Sequence, residues 1–195
     1  MVFFKDDTLL EASPTVRMNR SFLVNTYQPF YRVFFAELGY RLILPERIDA
    51  NGAAQRGAAF CYPAEIAHGY MASLLKWSAD YTFLPHFKGL PNSGHEVACT
   101  CVFVQSEPYY LRTAFPELNE PGVLSPVIDF SKDPQQTRQT FAELATRLGR
   151  SRREGGRAFD QALATQHELF HRLLEQGRTF LAELEQHPEE TAVVL

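Results

Sequence analysis

The sequence is poor in cysteine, with three in 195 residues, and it carries no excess of positive charge. A formal net charge of −4 and an isoelectric point near 5.9 exclude a broad nucleic-acid-binding surface. No apolar stretch approaches the roughly 18 residues of a membrane span. The opening segment places Asp6 and Asp7 directly after a short apolar start, which is wrong for a secretory signal. Few cysteines, none in CxxC spacing, and no export signal together predict a reducing, cytoplasmic setting. Phosphate loops of the GxxxxGK[ST] or GxGxxG kind are missing, and "EGGR" (Glu154 to Arg157) is too short to stand for one. Any ATP hydrolysis therefore belongs elsewhere. There is no internal repeat and no low-complexity tract.

Hydrophobic residues make up 45% and aromatics 13%, enough for a packed core rather than a disordered chain. Short apolar runs alternate with helical patterns. In "SFLVNTYQPFYRVFFAELGY" the stripe Phe30, Val33, Phe34, Leu38 predicts a helix stopped by Gly39, with Pro29 near its start. "YRLILP" (Tyr40 to Pro45) reads as a strand. "PAEIAHGYMASLLKW" reads as a helix opened by Pro63, with Ile66, Tyr70, Leu74 and Trp77 on one face. "DYTFLP" and "CVFVQS" are the next strand candidates, separated by "HFKGLPNSGHE", a loop by composition. "EPYYLRTAF" is a short helix, and "GVLSPVIDF" a strand interrupted by Pro126. "DPQQTRQTFAELATRLG" has a helix cap at Asp133, proline at its first position and a stop at Gly149. The basic stretch Arg147 to Arg157 is expected to be a solvated linker. A long polar helix follows from about Phe159 to Gln186, and "TAVVL" looks like the beginning of a buried strand. Strand–helix alternation of this kind predicts an α/β layered fold with a mostly parallel sheet.

Two motifs carry possible chemistry. "HELFH" places His167 and His171 one helical turn apart with Glu168 between them, the pattern of zinc peptidases. Its surroundings are polar and a third ligand is wanting, so a solvated helix face is the expected reading. The cysteines are the other candidate. Cys61 lies just before the helix at Pro63, where amide dipoles favour a thiolate. Cys101 opens a strand or ends the loop that feeds it, a usual place for chemistry in α/β folds. A Cys99–Cys101 disulfide would close a small, strained ring. Spacing alone leaves these thiols between buried hydrophobes and ligands of an iron–sulfur cluster.

The segments "SFLVNTYQPFYRVFFAELGYRLIL", "CYPAEIAHGYMASLL", "DYTFLPHF" and "CVFVQSEPYYLR", in that order, resemble the domain of unknown function in CoA-substrate-specific enzyme activase proteins. That domain is similar to subunits of 2-hydroxyacyl-CoA dehydratase and benzoyl-CoA reductase. The likeness is clearest from Arg17 to Phe115, in the turn Cys61-Tyr62-Pro63-Ala64 with His68 and in Cys101, Val104, Gln105, Ser106 and Pro108. It implies a Rossmann-like three-layer domain over residues 1–150. Residues 151–195 would then be a long linker helix and the first strand of a truncated following domain. It further implies a [4Fe–4S] cluster on Cys61 and Cys101, with Cys99 as an additional candidate ligand. The family's third cysteine would come from beyond "TAVVL", so the cluster would be held weakly by this chain and is readily lost. Val102 departs from the proline that usually follows the second cysteine.

The implied role is low-potential, single-electron transfer between an ATP-dependent activase and an acyl-CoA enzyme. The chain would be a component of a dehydratase or reductase system rather than a complete catalyst. His68, Arg20, His86, Lys88, Glu107 and Tyr109 are the candidates for a substrate or partner pocket. The rival readings are a metal-free scaffold that keeps the fold and, least favoured, a zinc hydrolase on His167, Glu168 and His171.

Overall fold

The computed structural model describes residues 12–55, 61–91, 98–131, 133–187, 189, 191 and 193. Strands β1 (Thr15–Met18) and β2 (Arg41–Ile43) flank helix α1 (Val24–Glu37). Helices α2 (Ala50–Ala53) and α3 (Tyr62–Leu75) lead to β3 (Tyr81–Phe83) and β4 (His86–Gly89). Next come α4 (Val102–Gln105), α5 (Glu107–Ala114), β5 (Val123–Leu124) and β6 (Val127–Asp129). Helices α6 (Pro134–Arg147) and α7 (Arg152–Gln186) complete the described elements.

Four strands form a parallel sheet in the order β2-β1-β3-β5, with Val16 opposite Leu42 on one side and Tyr81 on the other. Neighbouring side chains along each strand go to opposite faces. Phe83 and Leu124 join one core with α1, α6 and α7, while Leu84 and Val123 join another with α3 and α5. The result is the expected α/β layering on a parallel sheet, with a long C-terminal helix. Phe30, Tyr31, Phe34 and Phe35 of α1 are essentially fully buried. Burial on this scale contributes roughly 1.5–3 kcal/mol per large apolar side chain.

Two prolines divide the sheet. After β3 the chain passes through Pro85 into β4, and after β5 through Pro126 into β6; β4 and β6 pair in parallel as a separate ribbon. A proline has no N–H to give the ladder, so pairing breaks at each. The ribbon restarts where the His86 amide donates to the Pro126 carbonyl at 2.9 Å.

Several expectations are corrected. "CVFVQS" is not a strand: Val102–Gln105 is a helical turn whose first amides close on the Cys101 carbonyl. The Gln105 side chain also donates to Thr100 O at 2.7 Å, tying the turn shut. The presumed loop at "HFKGLPNSGHE" begins as strand β4; residues 92–97 fall outside the described part. Pro29 lies inside α1 rather than at its start. The buried face of α3 is Ala64, Ala67, His68, Met71 and Leu74, while Trp77 is exposed. The basic stretch is no linker either. Gly149, at φ +73°, ends α6, and Ser151 and Glu154 form a capping box that starts α7 at Arg152. Gly155 is where α6 and α7 touch, since a Cβ there would lie 2.5 Å from the Ala145 Cβ.

The first half of α7 packs Ala158, Phe159 and Ala162 into the core. Its second half leaves Leu173, Leu174, Phe180 and Leu181 exposed. Of "TAVVL", only Thr191 and Val193 are described, and neither is in a strand. No helix among the described residues is long and apolar enough to cross a membrane.

Candidate functional site

The sheet order changes direction at β1: α1 carries the chain to β2 on one side, and α3 carries it to β3 on the other. Connections that leave to opposite faces open a crevice at the carboxyl ends of the two central strands. Here the crevice lies beyond Met18 and Phe83, and the segments that follow β1 and β3 form its walls. Phe22, at φ +42°, turns the chain out of β1 into α1. An aromatic residue adopts that left-handed conformation only at a cost.

Each of two cysteines opens a helix. Cys61 is the extended residue before α3, and its carbonyl accepts from the Glu65 amide at 3.1 Å. Cys101 holds the same position before α4, accepting from Val104 and Gln105 at 3.0 and 3.1 Å. Neither thiol caps its own helix, so both remain free for other chemistry. Cys61 is half-buried and Cys101 exposed, and all three cysteines are free thiols. Cys99 is exposed, in a single antiparallel bridge with Gly89.

Tyr110 lies on α5, which packs against α3, the helix that Cys61 opens. The Tyr110 hydroxyl is buried and has no hydrogen-bond partner among the described residues. Burial pushes this phenol well above its usual range, and the Glu107 carboxyl and the thiols of Cys61 and Cys101 lie close enough to push it further. Its ring stacks on His68, with centroids 5.1 Å apart and planes 21° from parallel. His68 is buried and its Nδ1 lies 2.7 Å from the Ala64 carbonyl, within the helix that Cys61 opens. Helices α3 and α5 are thus joined by the His68–Tyr110 stack, beside one unsatisfied hydroxyl.

Glu107, one turn before Tyr110, is also buried. Its Oε1 accepts from the Ser21 hydroxyl and, at 2.8 Å, from the Asn19 side-chain amide, which also donates to Ala67 O. Burial nevertheless dominates and raises its pKa from 4.5 to about 7, the two hydrogen bonds opposing the shift. A carboxyl so placed exchanges its proton near neutrality.

The other candidates lie apart from this group. Arg20 is half-buried and donates to Asn25 Oδ1 at 3.2 Å. His86 contacts Gln105 O at 3.1 Å and packs its ring on Tyr109, whose side chain is otherwise exposed. Lys88 pairs with Asp129 at 3.7 Å. His167, Glu168 and His171 sit on the exposed part of α7, where Glu168 pairs with Arg172 at 2.7 Å and His171 with Glu175 at 3.6 Å. These are ordinary one-turn pairs of a solvated helix.

Sequence reasoning missed Tyr110, Asn19, Ser21 and Tyr31. The signal for Asn19 and Ser21 was available, as polar residues directly following the first strand of an α/β sheet. For Tyr110 the pointer was helical spacing, since it lies one turn after Glu107 while Tyr109 turns outward.

Chemically, the arrangement offers two unbonded thiols at helix starts and a buried phenol without a hydrogen-bond partner among the described residues. Among the described residues no three His, Cys, Asp or Glu side chains gather as a metal site. A family model described as the CoA enzyme activase uncharacterised domain matches residues 15–195. No curated protein and no solved structure matches the chain.

Proposed function

Because the chain belongs to the family of CoA enzyme activase uncharacterised domains, we propose that it is an electron-transfer unit whose Cys61 and Cys101 supply two thiolates to an iron–sulfur cluster of the [4Fe–4S] kind. The observation that supports this reading is the pair of free thiols at the starts of α3 and α4, neither used to cap its helix, with the buried Tyr110 hydroxyl left without a partner among the described residues. An orphaned donor beside two free thiols fits a group rich in sulfur acceptors. The remaining ligand positions fall to Cys99 or to thiolates of a partner. When bound, such a cluster supplies one-electron chemistry at low potential, receiving the electron from an ATP-hydrolysing activase and passing it to an acyl-CoA enzyme.

This chain's own residues prepare the site. Tyr110 stays protonated across the neutral range and donates toward sulfur. The His68 ring fixes the Tyr110 ring through stacking. Glu107 holds or releases a proton near pH 7 as the charge beside it changes.

Anaerobic iron–sulfur reconstitution of the chain together with its activase partner tests the proposal. The expected result is a broad absorption band at about 400 nm, lost in Cys61→Ser and in Cys101→Ser. Colourless, iron-free wild-type protein under those conditions would overturn it. That outcome would select the second reading, a metal-free interaction domain. The observation favouring that reading is that no three His, Cys, Asp or Glu side chains gather as a metal site among the described residues.

A further inference from the structure

We propose that the second half of α7 is a self-pairing surface, on which a second copy of this chain lies antiparallel about a two-fold axis beside Gly177. The inference is independent of the cluster, because Cys61, Cys99 and Cys101 all lie outside α7.

Helix α7 outruns the body it packs on. Gln166 reaches Thr26 and Phe30 of α1, and the Phe170 ring stands edge-on to Tyr27 with centroids 6.4 Å apart. Helix α1 itself begins at Val24, so it offers little beyond that contact. From His171 to Gln186 every residue is exposed except Gly177 and Leu184, which are half-buried. At 1.5 Å per residue this part is roughly 24 Å long. The apolar face does not stop where the body does. Phe159, Ala162 and Gln166 are buried, and Phe170, Leu173, Gly177, Phe180 and Leu184 continue the same spacing of three and four. Leu173, Leu174, Phe180 and Leu181 are 52% to 65% exposed. Large apolar side chains gathered on one face mark a contact surface.

The stripe is its own complement, which is why the occupant is a second copy. When two such helices cross antiparallel, Leu173 meets Leu184 of the partner subunit and Phe180 meets Gly177 of the partner subunit. Along the edge, Leu174 meets the partner's Leu181. A Cβ at Gly177 would find no atom of the chain within 4 Å, so the glycine leaves a notch that a phenyl ring fills. Each contact occurs twice, as an isologous two-fold interface requires.

Charge sets the direction. Glu183, Glu185 and Glu189 follow Arg172 and Arg178 along the chain, and no Lys or Arg comes after Arg178. Parallel pairing would set these carboxylates against their own copies. Antiparallel pairing instead brings Glu183 to the partner's Arg172. Arg172 pairs with Glu168 of its own helix through Nε at 2.7 Å, which leaves its terminal nitrogens for the Glu183 carboxylate. Exposed ion pairs are individually weak, so the charges choose the orientation and the apolar stripe supplies the affinity. A seam of two such helices buries less than the roughly 800 Å² per partner of a standard interface, so the dissociation constant is expected to be on the order of 10–100 μM.

Sedimentation equilibrium of the full, reduced, metal-free chain from about 5 to 500 μM is the test. The expected result is a reversible monomer–dimer equilibrium within that range. Phe180→Glu, at an exposed position, should keep the fold by its amide spectrum and raise the dissociation constant about tenfold or more. Arg172→Glu and Glu183→Arg should each weaken the dimer about fivefold. The double variant should recover most of that loss, because the pair is then reversed rather than broken. A chain that stays monomeric throughout, or a Phe180→Glu dimer as tight as wild type, would overturn the proposal. Charge reversals that simply add would overturn it as well, since the antiparallel crossing is what brings Arg172 and Glu183 together.

Discussion

Gln166 on α7 completes the backbone hydrogen bonding of α1 at Phe30. Its side-chain oxygen accepts from the Phe30 amide at 3.3 Å, and its side-chain nitrogen donates to the Thr26 carbonyl at 2.9 Å. In an undisturbed helix that amide and that carbonyl would bond each other. Pro29, which lacks an N–H, stands in this turn, and the buried side-chain amide of Gln166 reaches both groups. Gln166→Leu preserves the volume but strands both groups, so it should cost about 2–4 kcal/mol in urea unfolding. Adding Pro29→Ala, which lets the helix close, should recover much of that loss. Simple additivity of the two changes would show that the bridge is not what couples them.

The buried Tyr110 hydroxyl makes an opposite prediction. A polar group without a partner is a liability, so Tyr110→Phe should stabilise the reduced, metal-free chain by about 1 kcal/mol. The ring and its stacking on His68 would be unchanged. Denaturant midpoints at equal slope measure this directly. A loss of stability on removing the hydroxyl would mean that it holds a bond in the folded protein.

How much of this was readable in advance depended on whether a local pattern decided the outcome. Helix α6 has Asp133, Pro134 and Gly149 as its punctuation and lies where these place it, while α1, with a stripe repeated over several turns, begins at Val24, ahead of the Pro29 that the sequence sets near its start. Pro126 marked the break between β5 and β6. Three apolar residues after Cys101 have no period to distinguish strand from helix, and the helical turn there is settled by Gln105 reaching back to Thr100. Strand β4 was hidden because its partner β6 lies far along the chain, while its own sequence runs into glycine and proline. In the site, the helix start at Cys61 was within reach of sequence rules, whereas the segment after Cys101 reads as a strand. The choice of Tyr110 over Tyr109, and of His68 over Tyr70 as an inward residue, was not within reach. It turns on the rotation of α5 and α3 against each other, which only tertiary packing sets.

Gly155 and Gly177, two of the three glycines of α7, should respond in opposite ways to alanine. A methyl at Gly155 would sit 2.5 Å from the Ala145 Cβ and 2.9 Å from the Ala142 Cα, forcing α6 and α7 apart. The expected cost is about 1–3 kcal/mol. At Gly177 nothing lies within 4 Å of the added carbon. Gly177→Ala should therefore stabilise by about 0.5–1 kcal/mol through helix propensity alone. Thermal unfolding of the two variants beside wild type distinguishes them, and a neutral Gly155→Ala would mean that the helices are not in close contact there.

Glu107 gives the fold a pH dependence of definite sign. Burial raises its pKa from 4.5 to about 7. Between those values the folded chain keeps a proton that the unfolded chain has released, so folding takes up a proton. Stability from this group is therefore full below about pH 4.5, declines as pH rises through the window, and levels off above about 7. At about 1.4 kcal/mol per unit the total comes to roughly 3 kcal/mol. Glu107→Gln has no proton to lose, so wild type should be weakened relative to it by that amount between the two ends. Asp49 and Asp80, whose pKa values hydrogen bonds hold below the usual carboxylate range, lose their contributions only at lower pH and do not enter this window. Urea unfolding of both proteins across about pH 4.5 to 8 isolates the difference. A constant gap would place the Glu107 carboxyl in ordinary ionised form, with Ser21 and Asn19 offsetting its burial in full.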